Sequence, residues 1–192
     1  MLADKQLLIV SCLSVSDSAF VPGVADPRGV TTGFVRNGFG KPIQETSPDR
    51  GTTVYIRDAA GNVTQRSDGR GVVVNASFDA LDRQLTLTFP ATPTLNRNFD
   101  YDATAGGNKG VGQLTSLTDA QGSASFRYDA RGNLVSETRT VGGQSYTTGY
   151  AWDLADHLVA LTYPSGRIVT YARDGLGRVA GSAPAPMPRR AR

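Results

Sequence analysis

Glutamate is almost missing from this chain. Of the 17 acidic residues among 192, two are Glu (Glu45 and Glu137) and the remaining fifteen are Asp. Glu favours helix interiors whereas Asp favours turns and caps, so the balance argues against a helical bundle. Cysteine and histidine occur once each, as Cys12 and His157. One cysteine cannot close an internal disulfide, so cysteine pairing gives no pointer to an oxidising compartment. One histidine leaves no His cluster for a metal, and a Ser-His-Asp arrangement would rest on it alone. No apolar run approaches the ~18 residues of a membrane span. Leu7-Leu8-Ile9-Val10 leads into Ser11-Cys12, which has the look of a bacterial lipoprotein cleavage box. Its apolar run falls short of the ~7–15 residues of a signal core, and Asp4 stands where positive charge is expected. An apolar strand or an irregular start is the reading we adopt.

A basic face is missing too. Lys+Arg total 20 against Asp+Glu 17, but Arg189, Arg190 and Arg192 supply that whole excess of three. The body of the chain is therefore neutral and carries no basic stripe of the kind nucleic acid requires. What is present is apolar material for a core (39% of residues), little charge (19%), and abundant Gly (22) and Pro (10), all in a length that fits one domain.

The chain repeats itself. Tyr55-Ile56-Arg57-Asp58-Ala59-Ala60-Gly61-Asn62-Val63 recurs as Phe126-Arg127-Tyr128-Asp129-Ala130-Arg131-Gly132-Asn133-Leu134 and as Tyr171-Ala172-Arg173-Asp174-Gly175-Leu176-Gly177-Arg178-Val179. Weaker copies begin at Phe34 (Asn37 for Asp, Gly40 in place), at Ala76 (Asp79, then Asp82 for Gly) and at Tyr150 (Trp152-Asp153, then Asp156 for Gly). A seventh runs through Phe99, Tyr101 and Asp102, then carries an insertion before Gly112-Gln113-Leu114. Anchored on the turn residue, the copies fall at 37, 58, 79, 102, 129, 153 and 174, a base period of 21. Such self-similarity outranks local propensity as a guide to fold.

The chemistry of the unit explains its spacing. Aromatics three residues and often one residue before the Asp share one face of an extended strand. Asp opens a turn by accepting backbone N–H groups ahead of it, and Gly three residues later takes positive φ. A Thr-, Val- and Leu-rich strand follows. Further turns close the units at Asp26-Pro27-Arg28-Gly29, Pro48-Asp49-Arg50-Gly51, Asp68-Gly69-Arg70-Gly71, Asp119-Ala120-Gln121-Gly122, Val141-Gly142-Gly143 and Pro164-Ser165-Gly166-Arg167. The expected fold is all-β, an antiparallel β-meander of stacked hairpins with no helix. Residues 1–25 form an irregular N-terminal segment, 26–182 the seven repeats, and 183–192 a Pro/Arg-rich disordered tail. A lone hairpin is marginal in water, so neighbouring repeats must bury the aromatic row together.

The phrases at 126–134 and 101–119 resemble the YD repeat of the Rhs (rearrangement hotspot) family, shared with the BC components of insecticidal toxin complexes and with teneurins. The resemblance covers residues 26 to about 182. It implies a segment of a spiralling β-shell that commonly encloses a toxic C-terminal domain, secreted or at the cell surface. The implied partners are neighbouring repeats of a longer shell or an enclosed toxin polypeptide, with no cofactor, no metal and no enzymatic activity. The repeat positions Phe34, Asn37, Gly40, Tyr55, Asp58, Gly61, Asp79, Phe99, Tyr101, Asp102, Gly112, Phe126, Tyr128, Asp129, Gly132, Tyr150, Trp152, Asp153, Tyr171, Asp174 and Gly177 are then structural. The chain departs from the pattern where family shells carry an Asp-Pro-x-Gly-Leu core segment, since it ends in Ala183-Pro184-Ala185-Pro186-Met187-Pro188 and an Arg-rich tail. Seven repeats are also too few to close a cocoon, so a shell segment or a truncated gene product is expected.

Other chemistry is weaker. His157 occupies the slot of Asn62, Asn133 and Arg178 and reads as a turn residue. The regularly spaced Asp residues could suggest a calcium ladder, but calcium wants six to eight oxygens and one Asp per 21 residues supplies few. Glu45 and Glu137 fall at equivalent repeat positions, which marks them as periodic, solvent-facing strand residues rather than a glycosidase pair. Ala105-Gly106-Gly107-Asn108-Lys109-Gly110 lacks phosphate-loop spacing and reads as a mobile inserted loop. The aromatic row leaves a second reading open, a cell-surface module that stacks carbohydrate on its rings.

Overall fold

Alternation of side chains across each strand, broken every few residues by an Asp- or Gly-bearing turn, leaves the chain one option, an up-and-down ribbon. The computed structural model describes residues 23–184 and shows fifteen strands in two compact units, divided between Val72 and Val73. The first unit holds β1 (Gly23–Ala25), β2 (Thr31–Arg36), β3 (Pro42–Ser47), β4 (Gly51–Arg57) and β5 (Val63–Ser67). The second holds β6 (Val73–Phe78), β7 (Gln84–Thr88), β8 (Arg97–Tyr101), β9 (Leu114–Asp119) and β10 (Gly122–Tyr128). It continues through β11 (Leu134–Val141), β12 (Gln144–Trp152), β13 (Leu158–Thr162), β14 (Ile168–Arg173) and β15 (Val179–Pro184). Within each unit every strand pairs antiparallel with its predecessor and its successor in the chain.

Three details differ from expectation. Two single turns of 3-10 helix occur, Pro93–Leu95 and Ala105–Gly107, where no helix is expected. The first follows from Pro93, whose fixed φ suits the first helical position; the second caps the inserted loop. Gly23–Ala25, assigned to the irregular N-terminal segment, form β1, because the Asp26 turn folds them back onto Thr31, Thr32 and Gly33. Ala183 and Pro184, assigned to the tail, pair with Thr170 and Val169 as the end of β15. The readings of the Cys12 region and of the Pro/Arg tail past Pro184 lie outside the described residues.

The ladders sort the two faces of the second unit. Across seven strands, Ser77, Thr86, Asn98, Thr118, Ser123, Thr140 and Ser145 stand directly opposite one another in turn. Hydroxyl pairs join along this face, Ser77 to Thr86 at 2.7 Å and Thr138 to Thr147 at 2.9 Å. The other face carries Phe99, Leu117, Ala124 and Phe126 in one block. Tyr150, Leu161 and Val169 form a second block on it. Among the described residues Ala124, at 4% exposure, is the one buried hydrophobic side chain. The aromatic row is half-buried by its neighbours within the sheet and has no second layer across it.

Candidate functional site: the turn edge

Each repeat builds its turn in the same way, and Asp129 shows it. Its N–H donates to the Asn133 carbonyl at 3.0 Å, and the Gly132 N–H donates back to the Asp129 carbonyl at 3.1 Å. Its carboxylate Oδ1 accepts the N–H groups of Arg131 and Asn133, both at 2.9 Å, while Oδ2 accepts Asn133 Nδ2 at 3.2 Å. Gly132 has φ +84°, the left-handed conformation this turn demands. Where Gly is absent, Asp82 and Asp156 adopt φ 60° in its place, as a short polar side chain allows. The same bonds recur at Asn37, Asp79, Asp153 and Asp174. Asp26 and Asp68, in the other set of turns, share the pattern.

A carboxylate that accepts two or three donors is held ionised. At Asp79, Asp129, Asp153 and Asp174 the pKa is lowered, chiefly by the N–H of the fourth residue on. At Asp26 and Asp68 an arginine side chain leads, from Arg28 and Arg70. At Asp58 partial burial pushes upward, and the Asn62, Gly61 and Ala60 donors outweigh it. Asp102 is drawn down to about 2, first by Arg83 and then by the Gly112 N–H. Both Asp102 oxygens accept from Arg83, at 3.0 and 2.6 Å, and Arg83 also holds Asp79 at 2.7 Å. These oxygens are thus occupied by their own and adjacent turns, and among the described residues no group of three or more His, Cys, Asp or Glu could hold a metal ion.

A second device, not evident in the sequence, ties repeat to repeat. The ladder shifts register immediately before the turn in all seven copies: at Val35/Arg36, Ile56/Arg57, Ser77/Phe78, Asp100/Tyr101, Arg127/Tyr128, Ala151/Trp152 and Ala172/Arg173. Each is a β-bulge, which adds local twist and re-aims the residue ahead of the turn. That residue reaches a backbone carbonyl at the start of the preceding strand. Arg57 donates to Pro42 O, Tyr101 to Gln84 O at 3.0 Å, and Tyr128 to Leu114 O at 2.8 Å. Trp152 donates through Nε1 to Leu134 O at 2.8 Å, and Arg173 to Leu158 O at 2.9 Å. The only signal in the sequence is that the slot holds Arg, Tyr or Trp in six of its seven copies. These are long, planar side chains with a donor at the tip. Phe78 is the exception and has no donor to offer.

Neighbouring turns also touch. Arg131 reaches the carbonyls of Asp153 and Leu154 and lies 3.3 Å from Asp156, which also accepts Asn133 Nδ2 at 2.7 Å. His157 is a turn residue in this set, with Nδ1 3.1 Å from Asp153 Oδ2 and its ring against Gly177. The inserted loop, expected to be mobile, is docked. Asn108 is 7% exposed, gives Nδ2 to Phe126 O and takes the Tyr128 N–H on Oδ1 at 2.7 Å. Its side-chain amide thus pairs with β10 as a strand would, and Arg127 holds Gly106 O at 2.6 Å.

Glu45 and Glu137 are corrected. Both lie half-buried on the aromatic faces of their own units, opposite Phe34 and Phe126. Glu45 accepts from Arg50 at 2.6 Å and from the Tyr55 hydroxyl at 3.4 Å. Glu137 helps raise the Tyr150 phenol pKa, after burial, the larger cause. Register, which the sequence does not display, places them there instead of toward solvent.

Residues 110–145 and 152–183 match the family model described as RHS Repeat. Among solved structures, the chain is similar to the crystal structure of TcdB2-TccC3-Cdc42, with TM-score 0.72 and 16% identity over 86% of this chain and 10% of that one. The crystal structure of TcdB2-TccC3 gives the same figures, TM-score 0.72, 16%, 86% and 10%. The Photorhabdus luminescens Tc holotoxin pore is similar over 83% of this chain and 10% of its own, with TM-score 0.68 and 17% identity. The chain thus spans about a tenth of the length of these structures. Comparison with curated proteins finds no match.

Proposed function

We propose, from the premise that this is an Rhs/YD-repeat protein, that it serves as a stretch of wall in a longer β-shell. In that wall the aromatic face would be covered by neighbouring repeats or by an enclosed toxin polypeptide. The observation that carries this reading is the burial of a single hydrophobic side chain, Ala124, among the described residues. A sheet with aromatics along one face and no layer across it is incomplete by the usual rule that such a face must be buried against another element. The turn edge supports the same reading, because its bonds are committed to propagating one repeat onto the next. No nucleophile–base pair is assembled along it, and its titratable groups are held ionised by turn donors rather than tuned toward neutral pH.

The test is the mass of the native product, read by immunoblot of source-cell extracts with an antibody to residues 26–182. A band far above 20.3 kDa is expected. A single band at 20.3 kDa would show that a bare strip is made, and the wall reading would fall.

A further inference from the structure

The tips of the turns break the rule that turns are polar. In the second unit Leu81, Val111, Leu154 and Leu176 stand at the tips of the Asp-turn edge with exposures of 71, 71, 91 and 79%. Phe39 takes the equivalent place in the first unit, 88% exposed. The two-residue tips of the opposite edge in the second unit are Ala120-Gln121, Gly142-Gly143 and Pro164-Ser165, none with a large apolar side chain. The turns do not need these apolar groups, since Leu81 and Leu176 serve them through backbone N–H groups, each 2.9 Å from its Asp Oδ1. One exposed Leu is ordinary, but a row confined to one edge marks an interaction surface.

We propose that this edge of residues 73–184 docks against the same edge of a second copy of the chain. Successive turns lie two strands apart, about 9–10 Å, and a partner that meets every tip must repeat at that pitch along a twisted line. A second copy does so by construction, in a two-fold isologous contact; a straight helix does not follow a twisted sheet edge. Charge permits the approach. Arg83 is neutralised by Asp79 and Asp102, Arg131 by Asp156 and Arg178 by Asp174, all within the one edge, so copies meet without unpaired like charges. Four small knobs place the contact at the weak, concentration-dependent end of the range.

Sedimentation velocity of the full chain under reductant, from about 1 to about 200 µM, is the experiment. A reversible monomer–dimer equilibrium is expected for the natural sequence. Leu81→Ser, Leu154→Ser and Leu176→Ser combined should weaken it about tenfold or more. Leu154→Asp, at the most exposed tip, is the second variant and should act in the same direction. Val54→Ser with Ile56→Ser, on an open strand face of the first unit, should leave the equilibrium unchanged. Circular dichroism and melting equal to the natural sequence qualify each variant. A monomer at every concentration, an undiminished dimer in both tip variants, or equal loss in the Val54/Ile56 control would overturn the proposal.

Discussion

A turn carboxylate does the work that repetition makes visible. Asp129 accepts two backbone N–H groups and the Asn133 amide at once, and the Asp residues of most other copies do the same with their own neighbours. Removing the acceptor with Asp129→Ala should lower the melting midpoint by about 3–6 °C, whereas Asp129→Asn keeps Oδ1 and should cost far less, as Asn37 shows in the first copy. Gly132→Ala, at φ +84°, should cost about 1–2 kcal/mol in chemical denaturation. Acid provides a collective test. Asp26, Asp58, Asp68, Asp79, Asp102, Asp129, Asp153 and Asp174 all have lowered pKa values in the fold. A folded pKa below the unfolded value of about 3.9 gives stability that is complete above that pH and lost as pH falls through the folded values. Thermal midpoints should therefore stay level from about pH 7 to 5 and fall between about pH 4 and 2, the lower limit set by Asp102 at about 2. Loss of structure already near pH 6, or a level midpoint down to pH 2, would contradict this origin.

Between strands, the informative element is the bulge with its donor. Arg57, Tyr101, Tyr128, Trp152 and Arg173 differ in charge, ring and size, yet each closes the open end between adjacent strands by one bond to a carbonyl. Tyr128→Phe should leave Leu114 O without that donor and cost about 1 kcal/mol, measured by urea unfolding. Tyr128→Arg should restore most of it, because Arg fills the same slot at positions 57 and 173. Equal stability of the Phe and natural proteins would show the bond to be idle. The turns were legible in the sequence because Asp and Gly have few substitutes for an Asx turn and positive φ. The donor slot was not, because side chains unlike in chemistry share only reach and a terminal N–H or O–H. Register was equally hidden: Glu45 and Glu137 read as solvent-facing until pairing put them beside Tyr55 and Tyr150. The inserted loop looked mobile because its anchor, the Asn108 side chain, binds a strand eighteen residues away.

For the molecule as a whole, repetition replaces a core. Strand-to-strand pairing between chain neighbours, with one buried hydrophobic among the described residues, predicts stability that adds up from neighbour to neighbour instead of arising all at once. In the second unit β10 and β11 share seven paired positions and sit inside the meander, whereas β15 is exposed along its whole length and pairs on one side with β14. Amide hydrogen exchange read strand by strand tests this most directly. Protection should be greatest in β10 and β11 and decline stepwise through β13 and β14 to near nothing at β15. Uniform protection from β6 to β15, lost in a single cooperative step, would mean that a closed core holds this chain together and that its repeats are not the source of its stability.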